Sequence, residues 1–215
     1  MSAGVNSPKN CLSRNLLNMK IATFGWNAAL AHAEQLALSK GAPSKEERAT
    51  VAFLDEARLG RSLLGLGRHN GPGNQLLLPG GSVILRLILK RLWRGQPAGP
   101  SFSAARFLPA LLTYFAAPRR VGFIGNDKSR LDALCAHFGR HTPWHEFVAI
   151  APGASLSGRF DLIVADAVAE HGIRDRLDGA DIGLVVMAGR GLSRFAHTRP
   201  IVGGAQNSIS KPSLA

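Results

Sequence analysis

From Val121 onward the chain alternates short, uniformly apolar runs with amphipathic stretches. Val121-Gly122-Phe123-Ile124-Gly125 is a run of this kind ending on glycine, which predicts a strand buried on both faces. Asn126 or Asp127 then supplies the cap for a helix over Lys128–Phe138. Phe147–Ala151 and Asp161–Ala165 predict a second and a third strand. A helix follows over about residues 169–177, and Ile182–Met187 forms a fourth strand. Strands separated by single helices imply parallel βαβ units with right-handed crossovers. The expected class is therefore α/β: a mostly parallel sheet flanked by helices, Rossmann-like, with a less regular N-terminal part. Ligands on such sheets lie beyond the carboxyl ends of the strands, here near Gly125-Asn126, Ala151-Pro152, Asp166 and Gly189.

The first half is patterned differently. A helical stretch runs from Trp26 to Leu38, and a short apolar piece covers Thr50–Leu54. A loop through Gly65, Gly67, Gly71, Gly73, Gly80 and Gly81 leaves little room for regular elements. Residues 83–94 then predict a helix in which Arg86, Lys90 and Arg94 recur every fourth position along one stripe, with aliphatic residues covering the rest. Gly95 and Pro97 stop it. Such a helix can rest on an anionic membrane or pack its apolar face into the core, and the breadth of that face favours packing. A further helix is expected over Ser103–Phe115. Residues 1–20 read as a flexible lead, 21–199 as one domain with a basic half (21–118) and a βαβ half (119–199), and 200–215 as a disordered tail.

Charge sharpens this division. The net charge of +12 is concentrated before Val121: sixteen Lys or Arg against five Asp or Glu up to Arg120, then ten against nine. No acidic residue lies between Glu56 and Asp127, where ten basic ones do, so this stretch is suited to an anionic partner or forms a solvated basic face. The 46% apolar content fits a globular domain and excludes a disordered chain. No apolar run approaches the roughly 18 residues of a spanning helix. The first twenty residues lack the apolar core of a secretory signal. Cys11 and Cys135 make no disulfide framework, and a reducing compartment is the expectation. The basic stretch carries few aromatics and no reading motif, which argues against a nucleic-acid binder.

Four sets of residues bear on chemistry. Gly122 and Gly125, followed by a helix capped at Asn126 or Asp127, form the best phosphate cradle in the sequence, although one glycine turn after a strand is also ordinary architecture. Asp166 and Glu170 are placed to share a helix face at the end of the third strand, suited to acid–base work or simply to a helix start. His137, His141 and His145 recur at intervals of four, but Pro143 interrupts any common helix and no metal site is expected. A G-x-S-x-G nucleophile elbow is absent.

Three blocks then resemble a known family: Arg106-Phe-Leu-Pro-Ala-Leu-Leu, Pro118-Arg-Arg-Val-Gly-Phe-Ile-Gly125 and His141-Thr-Pro-Trp-His-Glu-Phe-Val. They are similar, in order and spacing, to blocks of a subset of the WecG/TagA/CpsF bacterial glycosyltransferases. Leu77-Leu78-Pro79-Gly80-Gly81 resembles the L-P-D-G turn of that family, and Val51-Ala-Phe-Leu-Asp55 the strand before it. The resemblance implies transfer of a sugar from a UDP-sugar to a polyprenyl-diphosphate-linked acceptor in surface or exopolysaccharide biosynthesis. It also implies work in the cytoplasm, peripherally on the inner face of the cytoplasmic membrane, with no metal and no other cofactor. Glu170 is the polar position carried over on this basis, and Asp55 is the remaining acid near the first-half pocket; these two are the catalytic candidates. Gly122, Gly125, Asn126, Asp127 and Asp166 are the nucleotide-sugar candidates, and Arg86, Lys90 and Arg94 face the acceptor or membrane.

Several family side chains have no counterpart. The turn aspartate, the usual base, falls on Gly80. The Q-E block aligns with Ala165-Asp-Ala-Val-Ala-Glu170, and the A-x-x-D block with Ala188-Gly-Arg-Gly. The R-A-P segment and the basic C-terminal region find no match before Ala215. Loss of a general base lowers a rate by about 10²–10⁴. Two readings therefore stand together: a divergent transferase, and a catalytically silent relative acting as scaffold or regulator.

Overall fold

The parallel strands build an eight-stranded sheet whose order sets one crevice apart from the rest. The computed structural model describes residues 13–16, 19–39, 48–55, 58–60, 75–92, 99–166 and 170–196. The strands are β1 Ser13–Leu16, β2 Met19–Ala22, β3 Ala49–Leu54, β4 Gln75–Pro79, β5 Arg120–Ile124, β6 Glu146–Ile150, β7 Phe160–Asp166 and β8 Ile182–Gly189. They lie in the order β1-β2-β4-β3-β8-β7-β5-β6. Only the β1–β2 pair is antiparallel; the other pairings are parallel. The α/β class and the parallel sheet thus match the alternation seen in the sequence.

Helices cover both faces. On one lie α1 Trp26–Leu38, α3 Ala104–Tyr114, α4 Lys128–His141 and α6 Ser193–Ala196. Phe107, Leu108, Leu111, Leu131, Leu134 and Phe138 pack there on Val51, Val121, Phe123, Val164 and Val186. The other face is shared by α2 Val83–Leu92, which seats Leu85 and Leu89 on Leu54 and Leu77, and α5 Glu170–Arg176, which seats Ile173 on Ile124, Ile163 and Ala165. Residues on β5 and β7 feed the two faces alternately, as the twofold period of a strand requires. The buried face of α1 is mostly alanine (Ala29, Ala33, Ala37), which lets this helix lie close against the sheet.

Three expectations need correction. Strands β1 and β2 occupy part of the segment read as a flexible lead; an edge hairpin of four-residue strands has too few positions to show a period in sequence. β4 runs through the stretch read as a glycine-rich loop, because Leu76, Leu77 and Leu78 sit buried between β2 and β3. The helix α4 passes through Gly139 to His141, three residues beyond its expected end, where Pro143 prevents continuation. Gly65, Gly67, Gly71, Gly73 and Arg94, and the tail from residue 197 on, lie outside the described residues. Among those described, no helix is long and apolar enough to cross a membrane.

Candidate functional site at the β5–β7 switch point

The chain leaves β5 through α4 toward β6 on one side, and leaves β7 through α5 toward β8 on the other, with α4 and α5 on opposite faces. Adjacent parallel strands whose connections diverge in this way open a crevice beyond their carboxyl ends, the usual ligand position in an open α/β sheet. Gly125, Asn126 and Asp127 follow β5 at this crevice, and Asp166 ends β7 beside them.

Asp127 caps α4 by accepting the Arg130 amide N–H at 3.1 Å, so its carboxylate already occupies the helix N-terminus. Arg130, one turn into the helix, reaches across to Asp166. Its Nε bonds Asp166 Oδ2, and Nη2 donates to Oδ1 at 3.0 Å and to Ser193 Oγ at 3.3 Å. Asp166 is only 2% exposed, and this two-pronged pairing takes both of its oxygens. The Asp166 hydrogen bond raises the Arg130 pKa further. Ser193 Oγ in turn donates to the Arg190 carbonyl at 2.7 Å, tying the loop after β8 to the same cluster.

Arg176, at the end of α5, has different partners. Its Nη1 donates to the Gly125 carbonyl at 3.0 Å and its Nη2 to the Ile150 carbonyl at 3.1 Å, bridging the carboxyl ends of β5 and β6. Among the described residues no carboxylate pairs with it, and burial lowers its pKa. A guanidinium carries five N–H donors, so two carbonyls leave donors for an anion.

The structure redistributes the residues singled out in sequence. Gly122 is not part of a cradle: it lies inside β5, paired to Val148 and Ile163, and a Cβ there would meet Ile150 and Ile163 Cδ1 atoms at 2.6 Å. Gly125 does line the crevice, and its missing side chain lets the turn pass Leu131 and the Asp166 carbonyl. Asn126 and Asp127 are exposed. Asp166 and Glu170 share no helix face, because Asp166 ends a strand and Glu170 opens α5; the Glu170 side chain lies outside what is described. Asp55 follows β3 and accepts the Arg58 amide N–H at 2.7 Å, capping helical residues 58–60. With β8 and β7 between β3 and β5, Asp55 stands about 14 Å along the sheet edge from Gly125.

The histidines also separate. His145 is buried and pins the start of β6: its Nδ1 accepts the Arg119 amide N–H at 3.0 Å and its Nε2 faces the Leu112 carbonyl at 2.8 Å. His137 and His141 are neighbours on α4 with rings tilted by 53° and centroids 4.5 Å apart, and burial, then His141 and Arg140, lower the His137 pKa. No group of three His, Cys, Asp or Glu that could hold a metal occurs among the described residues. Burial likewise raises the Cys135 thiol to about 11, so it is a packing group rather than a nucleophile.

Gly80, where the resemblance places an acidic side chain, has no room for one. Its amide donates to the Leu54 carbonyl at 2.9 Å, and a Cβ built on it would fall 2.4 Å from that same oxygen. An aspartate at this position would drive β4 away from β3. Gly80→Asp is therefore expected to destabilise the fold by about 1–3 kcal/mol and to confer no turnover. Urea denaturation and a UDP-release assay check this; a stable, active variant would overturn the packing at the β3–β4 end.

Sequence reasoning missed Arg130, Arg176 and Ser193. A basic residue three positions after a capping aspartate was a visible signal for Arg130. Its partner Asp166 lies 36 residues away, and Arg176 reaches carbonyls 51 and 26 residues away, contacts that only the topology creates. Compared with known proteins, the chain matches no family model and no curated protein.

Proposed function

We propose that this chain binds a phosphate-bearing nucleotide, of the UDP-sugar class, at the β5–β7 crevice, and that it does so as a catalytically silent relative of sugar-nucleotide glycosyltransferases. The observation that carries this reading is Arg176. It is a half-buried cation at the carboxyl ends of two parallel strands, held in place by main-chain carbonyls and left with donors to spare. A diphosphate supplies the complementary charge. The expected absence of transfer rests on the described groups: Asp166 is locked by Arg130 through both oxygens, and the position equivalent to the family base is a glycine with no room for a side chain.

Titration calorimetry tests the reading. UDP is expected to bind while uridine does not, and Arg176→Ala is expected to weaken UDP about tenfold or more, as loss of a charged hydrogen bond does. Incubation with a UDP-sugar and a lipid-linked acceptor should release no UDP. Equal binding of UDP and uridine, or no UDP binding at high micromolar concentration, would overturn it.

One observation favours the second reading, a divergent transferase acting on a polyprenyl-diphosphate-linked acceptor. Asp55 is exposed at the same sheet edge and its cap uses one carboxylate oxygen, leaving the other for a proton. UDP release that disappears in Asp55→Asn would establish that reading in place of the first.

A further inference from the structure

The helix α2 is broadly apolar in sequence, yet the fold buries only a narrow strip of it. Leu85 and Leu89 are fully buried against Ile21, Ala52, Leu54 and Leu77, with Ile88 partly covered. On the opposite side Val83, Ile84 and Leu87 are 70%, 62% and 61% exposed. Scattered apolar residues on a surface are ordinary, but three β- or γ-branched side chains within the first two turns of one helix are not scattered. Arg86 and Lys90, one turn apart, run along one border of this strip, and Arg91 lies one turn beyond Leu87 within it; all three are exposed. None of them makes an ion pair among the described residues. The sequence offers no acidic residue anywhere between Glu56 and Asp127 to offset them.

We propose that α2 is a docking surface for an anionic lipid bilayer. Val83, Ile84 and Leu87 enter the boundary between headgroups and acyl chains, while Arg86, Lys90 and Arg91 extend to the phosphates beside them. An apolar ridge with long cationic side chains along one border and at its C-terminal end suits an interfacial helix, because the stems of Arg and Lys reach upward to headgroups as the ridge sinks. The charge selects this occupant. A second copy of the chain would bring cation against cation at this face, whereas an anionic bilayer supplies both a negative surface and an apolar interior. The attachment is independent of the nucleotide reading, since α2 packs on β3 and β4, away from the β5–β7 crevice.

The test is co-sedimentation of the full chain with phosphatidylglycerol–phosphatidylcholine vesicles and with pure phosphatidylcholine vesicles. Binding to the mixed vesicles is expected, weakening as salt is raised. Each cation near an anionic surface contributes roughly fivefold. The triple variant Arg86→Glu, Lys90→Glu, Arg91→Glu is therefore expected to lose about a hundredfold or more. Val83→Ser, Ile84→Ser, Leu87→Ser, which keeps every charge, is expected to lose at least about tenfold. Both variants alter only exposed positions, so unchanged circular dichroism and melting temperature separate loss of docking from loss of fold. Equal binding to the two kinds of vesicle, undiminished binding of the apolar triple variant, or concentration-dependent dimerisation in light scattering without vesicle binding would each overturn the proposal.

Discussion

Replacing Gly183 by alanine is expected to destabilise the protein by about 3 kcal/mol or more, the upper end for an overpacked core. Gly183 lies near the start of β8 beneath the C-terminal turn of α1. A Cβ there would fall 2.0 Å from the Ala37 carbonyl oxygen and 2.9 Å from that of Asp161. Both obstacles are backbone, so no side-chain rotation relieves them. The turn of α1 is also held down: the Arg159 guanidinium donates to the Ser39 carbonyl at 2.8 Å while facing Asp161 and Asp181, each at 3.6 Å. Accommodation of one methyl group would lift α1 and open the contact made by Ala29, Ala33 and Ala37. Gly60 provides the control, because a Cβ there meets nothing within 4 Å. In that helical position alanine is expected to be neutral or to stabilise by up to about 1 kcal/mol. Urea midpoints with unchanged slopes distinguish the two. A Gly183→Ala protein as stable as the parent would mean that α1 does not lie this close to β8.

The difference between these two glycines shows how far sequence alone reaches. Strands β5 to β8 were legible because each is a run of large apolar residues bounded by polar or glycine-rich turns, long enough for its period to register. Their parallel arrangement followed from the helices between them. β4 was hidden by its neighbours: three leucines make a strand only because β2 and β3 stand on either side, and the glycines around them argue locally for a loop. Gly183 reads as a blemish in β8 until α1 is placed over it. The candidate site divides similarly. The carboxyl ends of the strands located Gly125 and Asp166, since that rule depends on topology class alone. The roles of those residues depended on partners distant in sequence. Asp166 reads in sequence as an acid for proton transfer, a helix start or a nucleotide-sugar contact, but the fold buries it beneath Arg130, and Arg176, which meets the ends of β5 and β6, sits on a helix that the pattern marks only as a connector. The helix α2 packs on protein as its apolar breadth predicts, but only through Leu85, Leu89 and part of Ile88: a broad apolar face is buried only as far as a partner surface covers it.

Arg130→Ala is expected to cost about 3–5 kcal/mol, the effect of removing one partner from a buried ion pair. Asp166, at 2% exposure, would be left as a buried carboxylate without the guanidinium that takes both of its oxygens. The pair itself is not a large source of stability. Removing both ions together restores an apolar lining at little cost, so Arg130→Met with Asp166→Leu is expected to recover most of the loss seen in Arg130→Ala. The non-additivity, read from a double-mutant cycle in urea, is the measure of burial. If Arg130→Ala costs less than about 1 kcal/mol, the pair behaves as a solvated surface bridge and the crevice floor is wet. The same double variant also separates scaffold from recognition. With Arg176 as the group that meets the diphosphate, UDP affinity in Arg130→Met/Asp166→Leu is expected to stay within a few-fold of the parent while Arg176→Ala loses it. Loss of UDP binding in the double variant, at full stability, would move the recognition from α5 to α4 and make the Arg130–Asp166 pair the site itself.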